Sequence, residues 1–176
     1  MWLESVWLDE GGLVPKNAER SRELLMKAAA KNYGPALYDV GKLYLEGHGI
    51  PPDVERGMKT IRDASVLGSP AAQFFLGASY QAGDGVEQDR ERAQRYFRLC
   101  AAAGQGLCQY RLASLLLNNP ARKEREYVQA IAWLELASAQ GLAPASSLLE
   151  KELANLTASQ AAWAADLKGQ LIQRRN

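Results

Sequence analysis

The chain has 176 residues, of which 47% are hydrophobic, and its 21 basic side chains nearly balance its 20 acidic ones. This length and composition predict one domain with a continuous core. The balanced charge gives no electrostatic footprint for nucleic acid, and no apolar run approaches the roughly 18 residues that span a bilayer. The first residues include acids and no basic region, which is not the pattern of a signal peptide.

Helical segments, each with one apolar stripe, follow one another along the chain. They are predicted near residues 2–10, 18–31, 35–46, 54–67, 71–82, 90–103, 107–117, 127–140 and 145–154. Predicted N-caps are Asn17, Asp53 and Asp89, and predicted C-caps are Asn32, Gly68, Gly104 and Gly141. A last helix begins at Thr157, which forms a capping-box pattern with Gln160. Its apolar face is expected at Trp163, Leu167 and Leu171.

The chain also repeats itself with a period of 36 residues. Ala36, Ala72 and Cys108 are each 36 residues apart, and Ala145 follows after 37. The same period relates Gly41 to Gly77, Tyr44 to Tyr80, Gly47 to Gly83, Gly49 to Gly85, Asp53 to Asp89 and Gly68 to Gly104. A period in the thirties indicates a stack of similar helical repeats, each too small to bury a core without its neighbours.

The repeated pattern A-x-x-x-[LV]-G-x-x-Y, followed by G-x-G-[VI]-x-x-D and A-A-x-x-G, resembles the Sel-one-like repeat, a relative of the tetratricopeptide repeat. It occurs at residues 36–44 and 47–53, and again at 72–80 and 83–89. The repeat at 108–144 departs from it, because it lacks the G-x-G turn and carries one extra residue in the corresponding stretch, Asn118 to Arg122. The stretch 127–141, continued by residues 156–160, resembles the closing repeat of bacterial members.

This resemblance implies an all-α fold: an α/α solenoid, or right-handed superhelix, of about four 36-residue helix-turn-helix repeats with a C-terminal capping helix. We expect a single domain over residues 1–176. Its repeats are predicted near 1–35, 36–71, 72–107 and 108–144, and its cap over 145–176. In each repeat, helix A precedes helix B.

The residues that most resemble catalytic or metal-binding groups are better explained as turn residues. His48 is the only histidine, and it lies in a predicted turn with no partner for a Ser-His-Asp or Cys-His site. Asp84, Glu87 and Asp89 share a turn but lack the spacing of an EF-hand calcium loop. We therefore expect a protein without enzyme activity, cofactor or metal.

Cys100 and Cys108 occupy positions that hold alanine in the other repeats. Small residues at the end of one helix and the start of the next indicate that the two helices touch there. Two cysteines in such a contact can form a disulfide, and the secreted, cysteine-rich relatives of the resembled family have this Cys-x7-Cys pair. The alternative is two buried thiols in a cytosolic protein. The disulfide, which we favour, predicts a periplasmic or secreted location.

One aromatic residue per repeat stands in the same position of helix A, at Trp2, Tyr38, Phe74 and Tyr110. If helix A lines the concave face, as the resemblance implies, these residues and Lys42 run along a groove that binds a protein or peptide partner. The alternative is that the aromatic rings only pack between repeats. A ring that packs with its face can still offer its edge or hydroxyl to a ligand.

The function expected from the sequence is therefore a non-enzymatic scaffold that binds a protein or peptide, acting as a monomer. One alternative is a weak cell-envelope hydrolase, suggested only by the cysteine-rich relatives that have been discussed as penicillin binders. The S-x-x-K and K-T-G motifs of penicillin-recognising enzymes are absent from the sequence. The other alternative is a purely structural assembly subunit.

Overall fold

The computed structural model describes residues 2–3, 17–47 and 50–174, and this part of the chain contains helices and no strand. The helices are α1 (Ala18–Ala29), α2 (Gly34–Glu46), α3 (Val54–Val66), α4 (Pro70–Ala82), α5 (Arg90–Ala102), α6 (Gly106–Leu117), α7 (Glu124–Ser138), α8 (Ala143–Leu153) and α9 (Ala158–Gln173). The prediction of an all-α solenoid is confirmed. His48, Gly49 and residues 4–10 of the predicted first helix lie outside the described residues.

The predicted capping residues define the helix boundaries. The side chains of Asn17, Asp53 and Asp89 each accept a hydrogen bond of 2.9 Å from the backbone N–H three residues later. These bonds satisfy donors that the first turn of a helix leaves without an intrahelical partner. Asn32, Gly68, Gly104 and Gly141 all have positive φ angles, between 56° and 93°. The helix ends are therefore fixed by the repeated residues that the sequence analysis identified.

Glycine allows the paired helices to approach closely. A Cβ atom on Gly41 of α2 would lie 2.5 Å from Cγ1 of Ile61 on α3. A Cβ atom on Gly77 of α4 would lie 2.8 Å from Cδ1 of Phe97 on α5. Ile61 and Phe97 are fully buried, so each glycine leaves room for a large core side chain of the facing helix.

The chain divides into two compact units, Met1–Leu76 and Gly77–Asn176, here called the N-terminal and C-terminal units. The boundary falls within α4, so the extent of the predicted single domain over residues 1–176 stays a prediction. In the N-terminal unit, α2 packs on α1 and α3. In the C-terminal unit, α6 packs on α5 and α7, while α8 and α9 both pack on α7. Helix α7 is accordingly buried on most of its surface.

Helix α7 begins three residues earlier than predicted, at Glu124 instead of residue 127. The carboxylate of Glu126 accepts a 3.0 Å hydrogen bond from the backbone N–H of Lys123. Two acidic residues in the first turn, Glu124 and Glu126, also interact favourably with the positive end of the helix dipole. This charge-assisted start makes the turn before α7 shorter than the sequence pattern indicated.

Helix α9 has the predicted capping box, in which Thr157 and Gln160 exchange side-chain to backbone hydrogen bonds. Its buried face agrees with the prediction at Leu167, which packs against α7, and differs from it at Trp163. Ala164 is fully buried against Val128 and Ile131 of α7, whereas Trp163 is 38% exposed. The prediction of Trp163 on the apolar face was wrong, because the small side chain of Ala164 allows the two helices to approach there. No helix among the described residues is long and apolar enough to span a bilayer.

Candidate partner-binding site

The predicted site residues Trp2, Tyr38, Lys42 and Phe74 belong to the N-terminal unit. Trp2 is half-buried, and its indole Nε1 donates a 2.7 Å hydrogen bond to Oδ2 of Asp39 on α2. Its ring also meets the ring of Tyr33 edge to face, with 5.5 Å between centroids. The structure thus brings Trp2 beside the face of α2 that carries Asp39, the residue next to Tyr38.

Tyr38 and Phe74 are also half-buried. The Tyr38 ring packs edge to face on Phe75, with 6.2 Å between centroids. Burial raises the pKa of the Tyr38 hydroxyl, and nearby Lys42 opposes this shift. The phenol therefore stays neutral at physiological pH and keeps its proton for donation. Tyr38 packs on Phe75 and remains partly exposed, and its role in binding stays a prediction.

Lys42 lies one helical turn beyond Tyr38 and forms an ion pair of 3.5 Å with Glu46 on the same helix. Both side chains are more than two-fifths exposed, so the pair contributes little to stability. Burial also raises the pKa of Asp39, against the opposing effects of the Trp2 hydrogen bond and of Lys42.

Tyr110 is the predicted site residue of the C-terminal unit. It lies on α6 between the fully buried Gln109 and the exposed Arg111, and it is itself half-buried. The amide of Gln109 donates to the backbone carbonyl of Ala101 at 3.3 Å and accepts from Gln140 at 2.9 Å. This network fixes the first turns of α6 and so holds Tyr110 in place. Its role in binding stays a prediction.

The two cysteines also lie in the C-terminal unit, one on α5 and the other on α6. Their sulfur atoms are 2.12 Å apart, at bonding distance, and their Cα atoms are 5.8 Å apart, within the usual range for a disulfide. Cys100 and Cys108 are both buried. The disulfide ties the end of α5 to the start of α6 beneath the surface.

A second interaction also repeats along the chain, and it was not predicted from the sequence. The guanidinium of Arg56 lies 4.4 Å from the ring centroid of Tyr44, and that of Arg92 lies 5.3 Å from Tyr80. Tyr80 also stacks on Tyr96 at 5.7 Å. The signal was present, because the tyrosine and the arginine recur together after 36 residues with a constant separation of 12. Such cation–π pairs stabilise the turn between helix A and helix B.

The turn that carries Asp84, Glu87 and Asp89 contains one residue with a defined role. Asp89 caps α5 and forms a 3.0 Å ion pair with Arg92, while Asp84 and Glu87 are exposed. In residues 2–3, 17–47 and 50–174, no three His, Cys, Asp or Glu side chains come together as a metal site would require.

Two solved structures resemble this fold closely. One is the c5321 protective antigen of uropathogenic Escherichia coli, which displays an SLR fold; it is 27% identical, with a TM-score of 0.79, and the match covers 99% of this chain and 37% of that one. The other is a Sel1 repeat protein from Oxalobacter formigenes, 28% identical, with a TM-score of 0.73, over 84% of this chain and 43% of that one. This chain therefore spans less than half the length of either. Comparison with curated proteins finds no match.

The sequence pattern of the Sel1 repeat matches four segments of the chain, at residues 6–33, 34–59, 70–105 and 106–142. These segments together cover well over half of the 176 residues. Sel1 repeats are in general modules for protein–protein interaction, and proteins of this fold are typically non-catalytic scaffolds. With the matching folds and the 36-residue capping pattern, these matches show that the chain belongs to the Sel1 repeat family.

Proposed function

We propose that this chain is a non-enzymatic scaffold that binds a protein or peptide partner on its A-helix face. The observation that supports this proposal is the partly exposed aromatic residue at the same helix A position, seen at Tyr38, Phe74 and Tyr110. Half-buried aromatic rings are frequent anchors of protein interfaces, because they bury a large area and lose little conformational entropy.

The chemistry around Tyr38 fits a peptide ligand. The neutral Tyr38 hydroxyl supplies a hydrogen-bond donor, and Lys42 supplies a cation whose present pairing with Glu46 is weak and exposed. A peptide backbone offers carbonyl acceptors to such groups, while its apolar side chains pack on the aromatic rings. Trp2 extends this surface, because its hydrogen bond to Asp39 holds its ring in one orientation.

The two alternative functions find less support. A cell-envelope hydrolase would need polar groups converging on a reaction centre, and in the acidic turn considered for such chemistry Asp84 and Glu87 are exposed while Asp89 caps a helix. A structural assembly subunit would need an extended apolar patch on the outer face of the B helices. On α3 that face carries the exposed Lys59 and Arg62, together with one exposed apolar residue, Val66, four residues after Arg62.

We further propose that the protein works in an oxidising compartment, the periplasm or the extracellular space. The geometry of Cys100 and Cys108 supports this location, because disulfides of this kind persist mainly outside the reducing cytosol.

The experiment for partner binding uses the wild-type protein and two variants as baits for extracts of the envelope and the cytosol of the source cell. Tyr38→Ala with Tyr110→Ala removes two anchors, and Arg62→Ala on the outer face of α3 is the control. The expected result is a protein captured by the wild type and the control and lost with the double variant. The captured protein should bind the double variant at least tenfold more weakly than it binds the wild type.

Thermal unfolding of each bait separates lost binding from lost folding. Loss of capture at an unchanged melting temperature supports the A-helix face. If the double variant captures the same protein as the wild type while Arg62→Ala loses it, the partner binds on the B helices and the site assignment is wrong.

A further inference from the structure

Although the net charge of the chain is close to zero, the C-terminal unit contains a stretch in which every charged residue is basic. Between residues 92 and 123 there is no aspartate or glutamate. The basic residues of this stretch are Arg92, Arg95, Arg98, Arg111, Arg122 and Lys123. It contains most of α5 and all of α6, so the charged residues from Arg92 to the end of α6 are all basic.

Two large apolar side chains are exposed at the same corner. Leu99 is 53% exposed and directly precedes Cys100; Leu107 is 44% exposed and directly precedes Cys108. Because the Cα atoms of the two cysteines are 5.8 Å apart and neighbouring Cα atoms are about 3.8 Å apart, the Cα atoms of the two leucines lie within about 13 Å. One short peptide can therefore contact both.

Each exposed leucine has an arginine one helical turn away, on the same helix face. Arg95 is four residues before Leu99 on α5, and Arg111 is four residues after Leu107 on α6, and both arginines are exposed. We call these four residues the corner patch. Arg95 has only a loose 3.9 Å contact with the exposed Glu91, and Arg111 has no ion-pair partner among the described residues.

The corner patch occurs only at the junction of α5 and α6. The residues 36 positions earlier are Lys59, Asp63, Ala71 and Phe75. The preceding corner thus has an acidic residue and an alanine where the corner patch has its two leucines. The disulfide is also found only at this junction, where it holds the end of α5 to the start of α6 beneath the patch. Such a constraint lowers the conformational entropy that the corner would lose on binding.

We propose that the corner patch binds an acidic peptide segment carrying an apolar anchor residue. Arginine forms paired hydrogen bonds with a carboxylate, which suits Arg95 and Arg111 to glutamate or aspartate side chains of a partner. Leu99 and Leu107 between them receive the apolar anchor. A membrane surface is disfavoured because the corner patch holds two cations, whereas anionic lipids are usually bound by about four to eight that are clustered together. Single-stranded nucleic acid is disfavoured because the patch has no aromatic ring for base stacking.

This surface goes beyond the proposed function, because its four residues are not the aromatic residues of the A-helix face. A test of binding at the corner patch therefore does not decide whether a partner binds on the A-helix face, and the reverse also holds. Binding at the corner patch is expected to weaken as salt is added, because its arginines are exposed to solvent.

The test measures the affinity of the whole chain for a synthetic peptide of repeated Glu-Glu-Leu, by titration calorimetry at low salt. Peptides of repeated Glu-Glu-Ser and Lys-Lys-Leu test the anchor and the charge separately. We expect the Glu-Glu-Leu peptide to bind at least tenfold more tightly than either. Leu99→Ser with Leu107→Ser, and Arg95→Gln with Arg111→Gln, should each weaken its binding at least tenfold. The matched control, Lys59→Gln with Val66→Ser on α3, should leave it unchanged.

Four results would overturn the proposal: no binding of the Glu-Glu-Leu peptide, equal binding of the Glu-Glu-Ser peptide, equal weakening by the control, or binding of phosphatidylglycerol vesicles in place of the peptide. If a patch variant fails to fold, the binding site is located instead from the NMR chemical-shift changes that the peptide causes in the wild-type protein. The peptide should then perturb the amide signals of Leu99 and Leu107 most, and perturbations centred elsewhere contradict the site.

Discussion

At the scale of single residues, the close approach of α2 to α3 depends on Gly41 having no side chain. We expect Gly41→Ala to lower the free energy of unfolding by about 1–3 kcal/mol, because the new methyl group would overlap the buried Ile61. Gly169 on α9 is the control, since nothing lies within 4 Å of its Cβ position. Gly169→Ala should raise stability by about 0.5–1 kcal/mol through helix propensity.

Urea unfolding of the two glycine variants provides the measurement. A Gly41→Ala protein as stable as the wild type would mean that the backbone of α2 or α3 moves freely enough to accept a methyl group.

Asp39 makes stability depend on pH, since its pKa is raised chiefly by burial. The folded protein then holds this proton more tightly than the unfolded chain, so stability falls as the pH rises from the ordinary value of 3.8 through the raised pKa. Asp39→Asn keeps an oxygen acceptor for Trp2 and carries no charge. We expect it to be more stable than the wild type at pH 7, by less than about 1 kcal/mol because Asp39 is only partly buried.

The advantage of Asp39→Asn should shrink as the pH falls through the raised pKa of Asp39, where the folded wild-type carboxyl becomes protonated, and it should be gone below the ordinary value of 3.8. Melting temperatures of both proteins across this range test the sign, with the exposed Asp63→Asn as the control. An advantage that grows on acidification would contradict the assignment.

At the scale of secondary-structure elements, α9 covers α7 through Ala164. Ala164→Asp would place a charge between Val128 and Ile131, and it should destabilise the C-terminal unit by several kcal/mol. Trp163→Asp changes the neighbouring, partly exposed residue and should cost much less. Thermal unfolding followed by circular dichroism gives both values, and equal losses would show that the orientation of α9 is wrong. The ion pair between Lys168 and Glu135, at 2.6 Å, also fixes this orientation.

The junction of α5 and α6 is the element that the disulfide stabilises. Closing so short a loop restricts the unfolded chain by roughly 2–3 kcal/mol. Cys100→Ala with Cys108→Ala should therefore lower stability by up to that amount while the helical circular dichroism signal stays the same. The fold should survive because the other repeats hold alanine at both positions. Loss of the helical signal would show that the disulfide is required for folding.

At the scale of the whole molecule, the redox state of Cys100 and Cys108 reports the compartment. We expect intact protein from its native location to gain no mass on alkylation unless it is first reduced. Both thiols are buried, so alkylation is done in denaturant. Full alkylation without reduction would show free thiols and remove the argument for a periplasmic or secreted location.

The sequence predicted the helices well, because their ends depend on local chemistry. The capping by Asn17, Asp53 and Asp89 does not depend on distant parts of the chain, since each side chain accepts a hydrogen bond from a backbone N–H three residues later. The orientation of α9 could not be predicted in this way. Trp163 is the more apolar side chain, yet Ala164 is buried, because the contact with α7 is set by the space between two helices distant in sequence.

The candidate site was predicted only in part, for the same reason. The 36-residue period identified Tyr38, Phe74 and Tyr110 as equivalent residues, but the Trp2 hydrogen bond to Asp39 depends on two segments 37 residues apart. Likewise, no pattern in the sequence predicts that the side chains of Leu99 and Leu107 are exposed.

The sequence by itself determined that this protein is a stack of capped helical repeats, because capping, turn conformation and repeat period act within a few residues of the chain. Only the tertiary structure decided which side chains remain exposed on those repeats. Burial depends on the distance between helices, and that distance is set by pairs such as Gly41 with Ile61, whose shapes must fit in space.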